Sequence, residues 1–560
     1  MLKRVQKMTD LPSGQGQNTK RYLHQLETRA RAFRDEESGV LVAFGVFFIL
    51  MILMVGGIGV DLMRFEFTRT SLQNTLDRAV LAAADLDQTL DPQDVVEDYF
   101  AKSALADYLS SVTVDQGLNY KEVSATAEIE MDTQLIHMLG INSLNAPAAG
   151  TAAESVDGVE ISLVLDMSGS MGSNNRLPNL KVAAKDFVTT MLNSAPVGDV
   201  SISIVPYATQ VNAGLTLAQH FNLSNEHSFS HCVNFAASDF NSTTISTTES
   251  LKRTGPFDPW YQVESALRLP VCPERASSDI QVYSLNEGSL HTYIDGFSAG
   301  GNTSTDIGIK WGTALLDPGM QPVVTDLIAD GDVNAAFTGR PMAYDDETLK
   351  VMVVMSDGQN TSQYYLDESY RAASHTNVWF YEGDFDSDGT IERVYSVKDG
   401  STYYYKTPIN WSSSYKGYTS ASWVNDPATG NHFGPTPFMG AASNRLTFPE
   451  LFHQASNEWI SDALFYGIWS DSYSDSYWRW NAYNSVGGST KDGRMDAICD
   501  AAKDAGIIVF TIGFEAPSHG EAVLENCASS QAHFFDVDGI EISDAFISIA
   551  ASISKLRLTQ

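Results

Sequence analysis

Residues 163–172, LVLDMSGSMG, place two small hydroxyl residues directly after an apolar run. The run as a whole, VEISLVLD (159–166), is apolar almost throughout and ends on Asp166, which predicts a strand buried on both faces of a sheet. Ser168 and Ser170 follow it, separated by a glycine. Alone, this stretch is compatible with a metal site, a catalytic nucleophile or a plain turn.

The segments that follow repeat the pattern of apolar strand and helix. Because such strands alternate with helices, we expect a mainly parallel sheet covered on both faces. Residues 159–560 are therefore predicted to form a doubly wound α/β domain, Rossmann-like in class. Further strands are predicted at 199–208, 349–358 and 507–514, and helices at 179–192, 305–316, 494–506 and 541–556.

Two long tracts, about 212–298 and about 362–490, do not fit this alternation. They are rich in Ser, Thr, Asn, Tyr and Trp, and loops of this length are uncommon unless they are functional or separately folded. We predict a first and a second insertion with some structure of their own. For the aromatic residues of the second insertion we favour a core role over a surface that grips peptide or glycan. Its tryptophans are Trp411, Trp423, Trp459, Trp469, Trp478 and Trp480.

Three separated segments are predicted to meet at one edge of the sheet. Ligand crevices in open parallel sheets form outside the carboxyl ends of the strands, where Asp166 lies. The loop GGNTSTD (300–306) opens a helix and the segment MSDG (355–358) ends a strand at the same edge. All the donors are oxygen atoms, which suits Mg²⁺, with Mn²⁺ or Ca²⁺ as substitutes. The predicted metal ligands are Asp166, Ser168, Ser170, Thr303 and Asp357.

A serine hydrolase is the alternative chemistry for this stretch. SGSMG differs by one residue from the G-x-S-x-G turn of α/β hydrolases, in which Ser170 would be the nucleophile and His519 or His533 the base. However, Ser168 replaces the first glycine, and a hydrolase leaves Thr303 and both aspartates unexplained. We therefore predict a binding site and not an enzyme.

The segment DFDSDGTIE (384–392) is a candidate for a second cation site. Asp384, Asp386 and Asp388 alternate ahead of a glycine, as at the start of a calcium-binding loop. The twelfth position is Tyr395 where an EF-hand has Glu, so Ca²⁺ binding and a plain acidic turn both stay open.

The formal net charge of −34 is spread along the chain. This charge argues against nucleic acid as a partner and is typical of a well-solvated surface. Acid enrichment suits a divalent cation, and adaptation to a salty milieu would explain it equally well.

Residues 38–60 form an uncharged apolar stretch long enough to span a bilayer as a helix. The stretch is too long, and too far from the first residue, for a cleaved signal peptide. Basic residues precede it in excess, so the positive-inside rule places residues 1–37 in the cytoplasm and the remainder outside. The preceding basic residues are Lys3, Arg4, Lys7, Lys20, Arg21, Arg29, Arg31 and Arg34.

Residues 61–140 are predicted to form a small α+β stem beyond the membrane. Helical spacing continues the membrane helix over 62–86, a second helix follows Pro92, and 121–132 alternates like a strand. Residues 141–158, rich in Asn, Ala, Gly and Ser, are predicted to be a linker.

The chain has four cysteines, without the CxxC spacing of a zinc site. An even number in an exported domain suits disulfides. Three pairings are possible, and we favour the two local ones, Cys232 with Cys272 and Cys499 with Cys527.

The motif D-x-S-x-S in DMSGS, the Thr in a Gly-rich loop and the later Asp-Gly resemble the metal-ion-dependent adhesion site (MIDAS) of von Willebrand factor A (vWA) domains. By motif, Asp166, Ser168, Ser170, Thr303 and Asp357 take the five ligand positions. The resemblance implies that hydroxyls contact the metal directly, whereas a carboxylate can act through water. Because two carboxylates neutralise the dication, we expect either water or a carboxylate of a partner to complete its octahedron.

The basic amino-terminal segment, the anchor and VDLMRFEFTRTSLQNTLDRAVLAAA (60–84) are similar to Tad (Flp) pilus-assembly proteins. ICDAAKDAGIIVFTIGF (498–514) resembles the end of TadG-type members, which join such an anchor to a vWA domain. The resemblance implies a single-pass protein of a bacterial inner membrane, with its bulk in the periplasm, which binds protein partners of the pilus machinery or envelope. A surface adhesin for host or substratum ligands is the alternative.

Overall fold

A computed structural model describes residues 16–34, 39–85, 88, 90–116, 120–155, 158–264, 267–345, 348–408 and 422–556. The chain divides into two compact units, the first made of residues 1–115 and 122–153 and the second of residues 116–121 and 154–560. Trp411 and much of the predicted cytoplasmic segment lie outside the described residues.

The first unit contains one very long helix and a three-stranded sheet. Its elements are α1 (Gly16–Arg34), α2 (Gly39–Ala84), α3 (Pro92–Lys102), β1 (Leu109–Gln116), β2 (Tyr120–Asp132) and β3 (Ser143–Ser155). The sheet has the order β1-β2-β3. Helix α2 is continuous for 46 residues, so the predicted membrane helix does extend outward. It is the one helix of the described chain that is long and apolar enough to cross a membrane.

The predicted linker at 141–158 is wrong, because most of it is strand β3. Ala146, Ala148 and Ala152 are buried at alternating positions, as in a strand with one face on a core. A Cβ atom on Gly150 would lie 2.6 Å from the Leu76 side chain of α2. The small residues that resemble a linker are therefore the ones that let this strand approach the helix closely.

The second unit begins with alternating strands and helices. These elements are β4 (Val159–Asp166), α4 (Arg176–Asn193), β5 (Val200–Tyr207), α5 (Gly214–Ala218), α6 (Glu287–Asp295), α7 (Thr305–Ala314), α8 (Gln321–Asp330) and β6 (Leu349–Ser356). The second insertion follows with β7 (Gln363–Leu366), α9 (Glu368–Arg371), β8 (His375–Gly383), β9 (Glu392–Asp399), β10 (Thr402–Thr407), β11 (Ser422–Trp423), β12 (Phe433–Gly434), β13 (Asn444–Thr447), α10 (Phe448–Gln454), α11 (Asn457–Trp459), α12 (Asp471–Asp475) and β14 (Tyr483–Val486). The unit closes with α13 (Gly488–Asp504), β15 (Ile508–Phe514), α14 (Ser518–Cys527), β16 (Phe534–Val537) and α15 (Ile542–Leu556).

The central sheet has the order β16-β15-β6-β4-β5 with every neighbouring pair parallel. In chain order this is 2-1-3-4-5, a doubly wound arrangement whose strand order reverses between the first and third strands. One face packs against α4 and α15 and the other against α7 and α13. Within β4, the side chains of Leu163 and Leu165 pack into the core on the α4 and α15 face. The side chain of Val164 packs into the core on the α7 and α13 face. The predicted α/β class is confirmed.

The two insertions differ in structure. The first has short helices and isolated strand bridges, whereas the second contains a six-stranded sheet and a core of its own. Trp459 and Trp478 are buried in that core, as expected, while Trp480 is 67% exposed.

Both predicted disulfides are confirmed. The Cys232–Cys272 bond closes a segment of the first insertion, and the Cys499–Cys527 bond links α13 to the end of α14.

Candidate metal centre

The predicted metal ligands lie where the strand order of the sheet reverses. Strand β4 pairs in parallel with β6, so their carboxyl ends lie side by side. Asp166 is the last residue of β4, and Asp357 directly follows β6. This is the edge at which doubly wound sheets bind their ligands.

The DMSGS turn joins both aspartates through one backbone N–H and two hydroxyls. The backbone N–H of Ser168 donates to Asp166 Oδ1 at 2.7 Å, and the Oγ atoms of Ser168 and Ser170 are 3.0 Å apart. Ser170 Oγ then donates to Asp357 Oδ1 at 2.7 Å. Four of the five predicted residues therefore form one hydrogen-bonded cluster.

The Thr303 loop reaches the same turn through its backbone. The N–H of Gly169 donates to Gly301 O at 2.9 Å, and that of Gly300 donates to Met167 O at 3.0 Å. The N–H of Thr303, whose side chain is buried, donates to Thr361 Oγ1 at 2.8 Å. The Thr303 hydroxyl forms no hydrogen bond with the other four predicted ligands.

Asp166 is a fully buried carboxylate without a cationic partner among the described residues. Its donors are neutral: the N–H of Ser168, the hydroxyl of Ser356 at 2.7 Å and the hydroxyl of Tyr207 at 3.4 Å. Burial and, after it, the charge of Asp357 raise the pKa of Asp166 to about 7. Two close buried carboxylates surrounded by hydroxyl oxygens fit a hard divalent cation, because such a cation offsets their repulsion and desolvation.

Arg176, at the start of α4, was not predicted as a site residue. Its Nη1 donates to Asp357 Oδ2 and its Nε to Glu515 Oε2, both at 2.9 Å. Burial raises the pKa of Asp357, and the Arg176 guanidinium opposes this shift. In the sequence, Arg176 is marked only as the first charged residue after DMSGS. Its contact with Asp357 is not predictable from this position, because Asp357 lies 181 residues away.

Lys491, on α13, is a second residue that sequence analysis missed. It is fully buried, and its Nζ donates to Thr303 O at 2.5 Å, to Ser304 Oγ at 2.6 Å and to Thr361 O at 2.8 Å. Burial lowers the pKa of Lys491 to about 8. The ammonium group therefore fixes the loop that carries Thr303.

The two histidines predicted as the base of a serine hydrolase have other hydrogen-bond partners. Ser170 hydrogen-bonds Ser168 and Asp357. His519 is bonded to Asp492 Oδ2 at 2.9 Å and His533 to Ser530 Oγ at 2.7 Å, so neither histidine is bonded to the serine.

The acidic triplet of the second insertion lies in the loop between β8 and β9. Asp384, Asp386 and Asp388 can bring carboxylate oxygens within 4.8 Å of one another. Asp384 Oδ2 accepts the N–H of Gly389 at 2.9 Å, so the loop also holds itself together as an acidic turn. Calcium binding at this loop stays a prediction.

Several solved structures of pilus proteins resemble the chain weakly. The vWF domain of the type V pili tip protein Mfa5 from Porphyromonas gingivalis matches with 16% identity, covering 71% of this chain and 95% of that one, at a TM-score of 0.29. The pilus adhesin SpaC from Lactobacillus rhamnosus GG matches with 13% identity, covering 79% and 33%, at 0.28. The PilB minor pilin from Streptococcus sanguinis matches with 10% identity, covering 80% and 78%, also at 0.28. The fold assignment therefore rests on the strand order of the chain itself.

A family model identifies the membrane-proximal segment. Residues 39–86 match the Tad family, described as Flp pilus-assembly TadE/G-like. No curated protein matches the sequence. The matched segment is the long helix α2 with the residues just after it, which confirms the resemblance stated for the anchor. The segment of this chain that matches the Tad-type, TadE/G-like pilus family is its anchor helix, and the chain continues from it into a doubly wound α/β domain with a D-x-S-x-S motif at the carboxyl edge of the sheet.

Proposed function

We propose that this protein is a membrane-anchored component of a Tad pilus whose α/β domain binds a divalent cation and, through it, a carboxylate of a protein partner. The observation that supports the proposal is the cluster at the ends of β4 and β6. There, Asp166 and Asp357 are joined by Ser168 and Ser170 through contacts of 2.7–3.0 Å.

Each residue of the cluster has a distinct task in this proposal. Ser168, Ser170 and Thr303 would offer hydroxyl oxygens to the cation, and the two aspartates would balance its charge, directly or through water. When bound, the cation supplies a positive centre that attracts a partner carboxylate. Lys491 holds the Thr303 loop in position, and the neighbouring hydroxyls hold the Asp166 carboxylate.

The proposed topology follows from the charges that flank the anchor. The described helix α1, ahead of the anchor, carries Lys20, Arg21, Arg29, Arg31 and Arg34. Basic residues accumulate on the cytoplasmic side of single-pass proteins. We therefore place the bulk of the chain in the periplasm, anchored in the inner membrane.

The direct test is calorimetric titration of Mg²⁺ into the full chain in nanodiscs. Wild-type protein should bind one Mg²⁺ ion per chain, with Mn²⁺ or Ca²⁺ competing, and Asp166→Ala should abolish binding because it removes a carboxylate from the cluster. Asp326→Ala is the matched control, since Asp326 is an exposed acid of α8 and should not affect binding.

Undiminished Mg²⁺ binding in Asp166→Ala would overturn the site. Hydrogen exchange of the β4 amides in the same variant provides the check on folding, because a folded variant keeps the protection of this buried strand.

A further inference from the structure

A groove of about 590 Å³ lies beside the candidate metal centre, within the second unit. Its lining includes Gly169 of the DMSGS turn and Gly300 and Gly301 of the loop that carries Thr303. Its walls come largely from the first insertion: Trp260, Tyr261, Arg268, Leu269 and Arg275. The volume of this groove lies within the range of ligand sites, and its lining combines aromatic with polar and charged groups.

The groove contains two arginines that form no ion pair with any described residue. The guanidinium of Arg268 is exposed and lies 4.2 Å from the ring centre of Tyr261. Arg275 Nη2 donates to Gly300 O at 3.1 Å, while its buried Nε and Nη1 have no hydrogen-bond partner. Glu274, the adjacent acid, is paired with neither arginine. Unpaired guanidinium groups of this kind select carboxylates.

The walls of the groove are held rigidly. The buried carboxylate of Asp258 accepts the N–H groups of Trp260 at 2.9 Å, Tyr261 at 3.2 Å and Leu269 at 2.9 Å. The Cys232–Cys272 disulfide fixes the chain three residues before Arg275. A preorganised wall loses little entropy when a ligand binds.

We propose that this groove binds an acidic segment of a protein partner, in which one carboxylate completes the metal centre and a second carboxylate pairs with Arg268 and Arg275. The inference rests on the proposed function and specifies the partner. A chain of net charge −34 repels acidic polypeptides in general, so the two unpaired arginines next to a dication make this edge an exception. Trp260, Tyr261 and Leu269 suit the apolar parts of a polypeptide.

The test uses fluorescein-labelled hexaglutamate and a matched hexapeptide with one Glu among glycines, with fluorescence anisotropy on the full chain in nanodiscs. In Mg²⁺, hexaglutamate should bind about tenfold more tightly than the single-Glu peptide, and Arg268→Gln should remove this difference. Mg²⁺ affinity should stay unchanged in this variant. Arg275→Lys is the second variant, and Arg445→Gln, an exposed arginine 4.9 Å from the ring of Trp379, is the control.

The possible failures are distinguishable. Hexaglutamate binding that is insensitive to both arginine variants overturns the groove and leaves the metal centre standing. Arginine-dependent binding that persists in EDTA and in Asp166→Ala supports the groove and overturns the metal-dependent function. Binding of oligogalacturonate in place of hexaglutamate would make the occupant an anionic glycan and overturn the polypeptide assignment.

A different observation, in the first unit, carries a second inference. The turn between β2 and β3 exposes four large apolar side chains, and Met138 is 68% exposed. We call residues 134–141 the apolar tip. Its exposed apolar residues are Leu135, Met138, Leu139 and Ile141.

The apolar tip is packed against the end of the membrane-spanning stretch. The fully buried Asp61 carboxylate, directly after that stretch, accepts the N–H groups of Gln134, Leu135 and Ile136 at 3.2, 2.7 and 2.8 Å. A Cβ atom on Gly57 would lie 2.8 Å from the Leu135 side chain. The tip therefore lies level with the last turn of apolar helix.

We infer that the apolar tip inserts into the membrane leaflet through which the anchor helix emerges after residue 60, so that lipid covers the side chains of the tip. Apolar side chains held at this level gain free energy when acyl chains replace water around them. The three amides that bind Asp61 compensate its charge at the membrane surface.

A single thiol at the tip tests this inference, because all four native cysteines are in disulfides. An NBD label on Met138→Cys, in nanodiscs holding one chain each, should be quenched strongly by doxyl-labelled lipid and weakly by iodide. A label on Glu97→Cys, on the exposed side of α3, should show the reverse. Strong iodide quenching at position 138 would overturn the inference, and so would a label shielded from both quenchers.

Discussion

The two insertions differ in where they bury their apolar side chains. Val233, Phe235 and Ile280 of the first insertion join the core of the α/β domain, whereas the second insertion packs Trp478 and its neighbours into a core of their own. Phe257 and Val271 of the first insertion also join that second core. The first insertion therefore depends on the α/β domain and can shape its ligand edge, and its segment at Phe257 and Val271 also depends on the second insertion. The predicted metal ligands lie outside the core of the second insertion, so we expect them to stay in place when that core is weakened.

The largest effect should come from Trp478→Ala in the second insertion. Trp478 is fully buried, and its ring centre lies 5.0 Å from that of Phe465 and 4.9 Å from that of Tyr477. Removing the indole should lower the free energy of opening of this insertion by about 4 kcal/mol. Hydrogen exchange should be faster across β8 to β10. Calorimetric titration should show an unchanged Mg²⁺ affinity.

Trp480→Ala is the matched control, because Trp480 is 67% exposed, and it should change stability by less than about 0.5 kcal/mol. A loss of Mg²⁺ affinity in Trp478→Ala would show that the candidate metal centre depends on the core of the second insertion.

Removal of the first disulfide should have the next largest effect. A double Cys232→Ser, Cys272→Ser variant frees a segment of 40 residues in the unfolded chain, which should cost about 4 kcal/mol. The amide of Thr254, which donates to Cys232 O at 2.9 Å, should exchange faster with solvent. This change should also weaken hexaglutamate binding, because the disulfide fixes the chain three residues before Arg275.

The double variant Cys499→Ser, Cys527→Ser is the control, since it opens a comparable separation of 28 residues in the α/β helices. If its exchange pattern matches that of the first variant, the disulfide of the first insertion has no local role.

A smaller effect is expected from pH, at the junction of the two insertions. Burial, followed by the charge of Arg253, lowers the pKa of His227 to about 4. In the unfolded chain His227 takes up its proton near pH 6.5, whereas in the folded chain it does so near pH 4. The contribution of neutral His227 to the free energy of unfolding is therefore complete above pH 6.5 and is lost as the pH falls through 4. The expected loss is about 3 kcal/mol, at about 1.4 kcal/mol for each pH unit between the two pKa values.

His227→Asn should reduce this slope in urea titrations between pH 4 and 6.5. The asparagine amide can still accept the N–H of Phe229, which His227 Nδ1 accepts at 3.2 Å. An equal slope in both proteins would mean that other groups govern the acid sensitivity.

The smallest effect should be that of Asp386→Asn in the exposed acidic loop. Without calcium, neutralising one of three close carboxylates should change stability by less than about 0.5 kcal/mol. A calcium titration monitored by the melting temperature decides between the two interpretations of this loop. A rise in wild-type protein that disappears in the variant indicates a calcium site, and no rise indicates an acidic turn.

The predictable part of the molecule is the part that is encoded locally. The strand ending on Asp166 is recognisable because a strand buried on both faces is apolar throughout, and the pairings of Cys232 and Cys499 are short in sequence. Thr303 and Asp357 were predicted at the same edge because parallel strands align their carboxyl ends.

The site residues that the sequence did not predict make contacts between positions far apart in the chain. Lys491 reaches Thr303 across 188 residues and Arg176 reaches Glu515 across 339, so no local pattern marks either residue. Strand β3 was missed for a different reason. Its small residues serve close packing on α2, and composition alone does not distinguish that use from a linker.

Helix α2 has a mechanical consequence. Its 46 residues contain no proline and would extend about 69 Å, of which about 30 Å is the thickness of the hydrocarbon core. The backbone hydrogen bonds lie along this axis, so a pull on the stem is carried to the bilayer by one stiff rod with no joint at the membrane surface. The anchor then resists traction by the cost of drawing its apolar residues into water, and a load that tilts the stem tilts the segment inside the membrane with it.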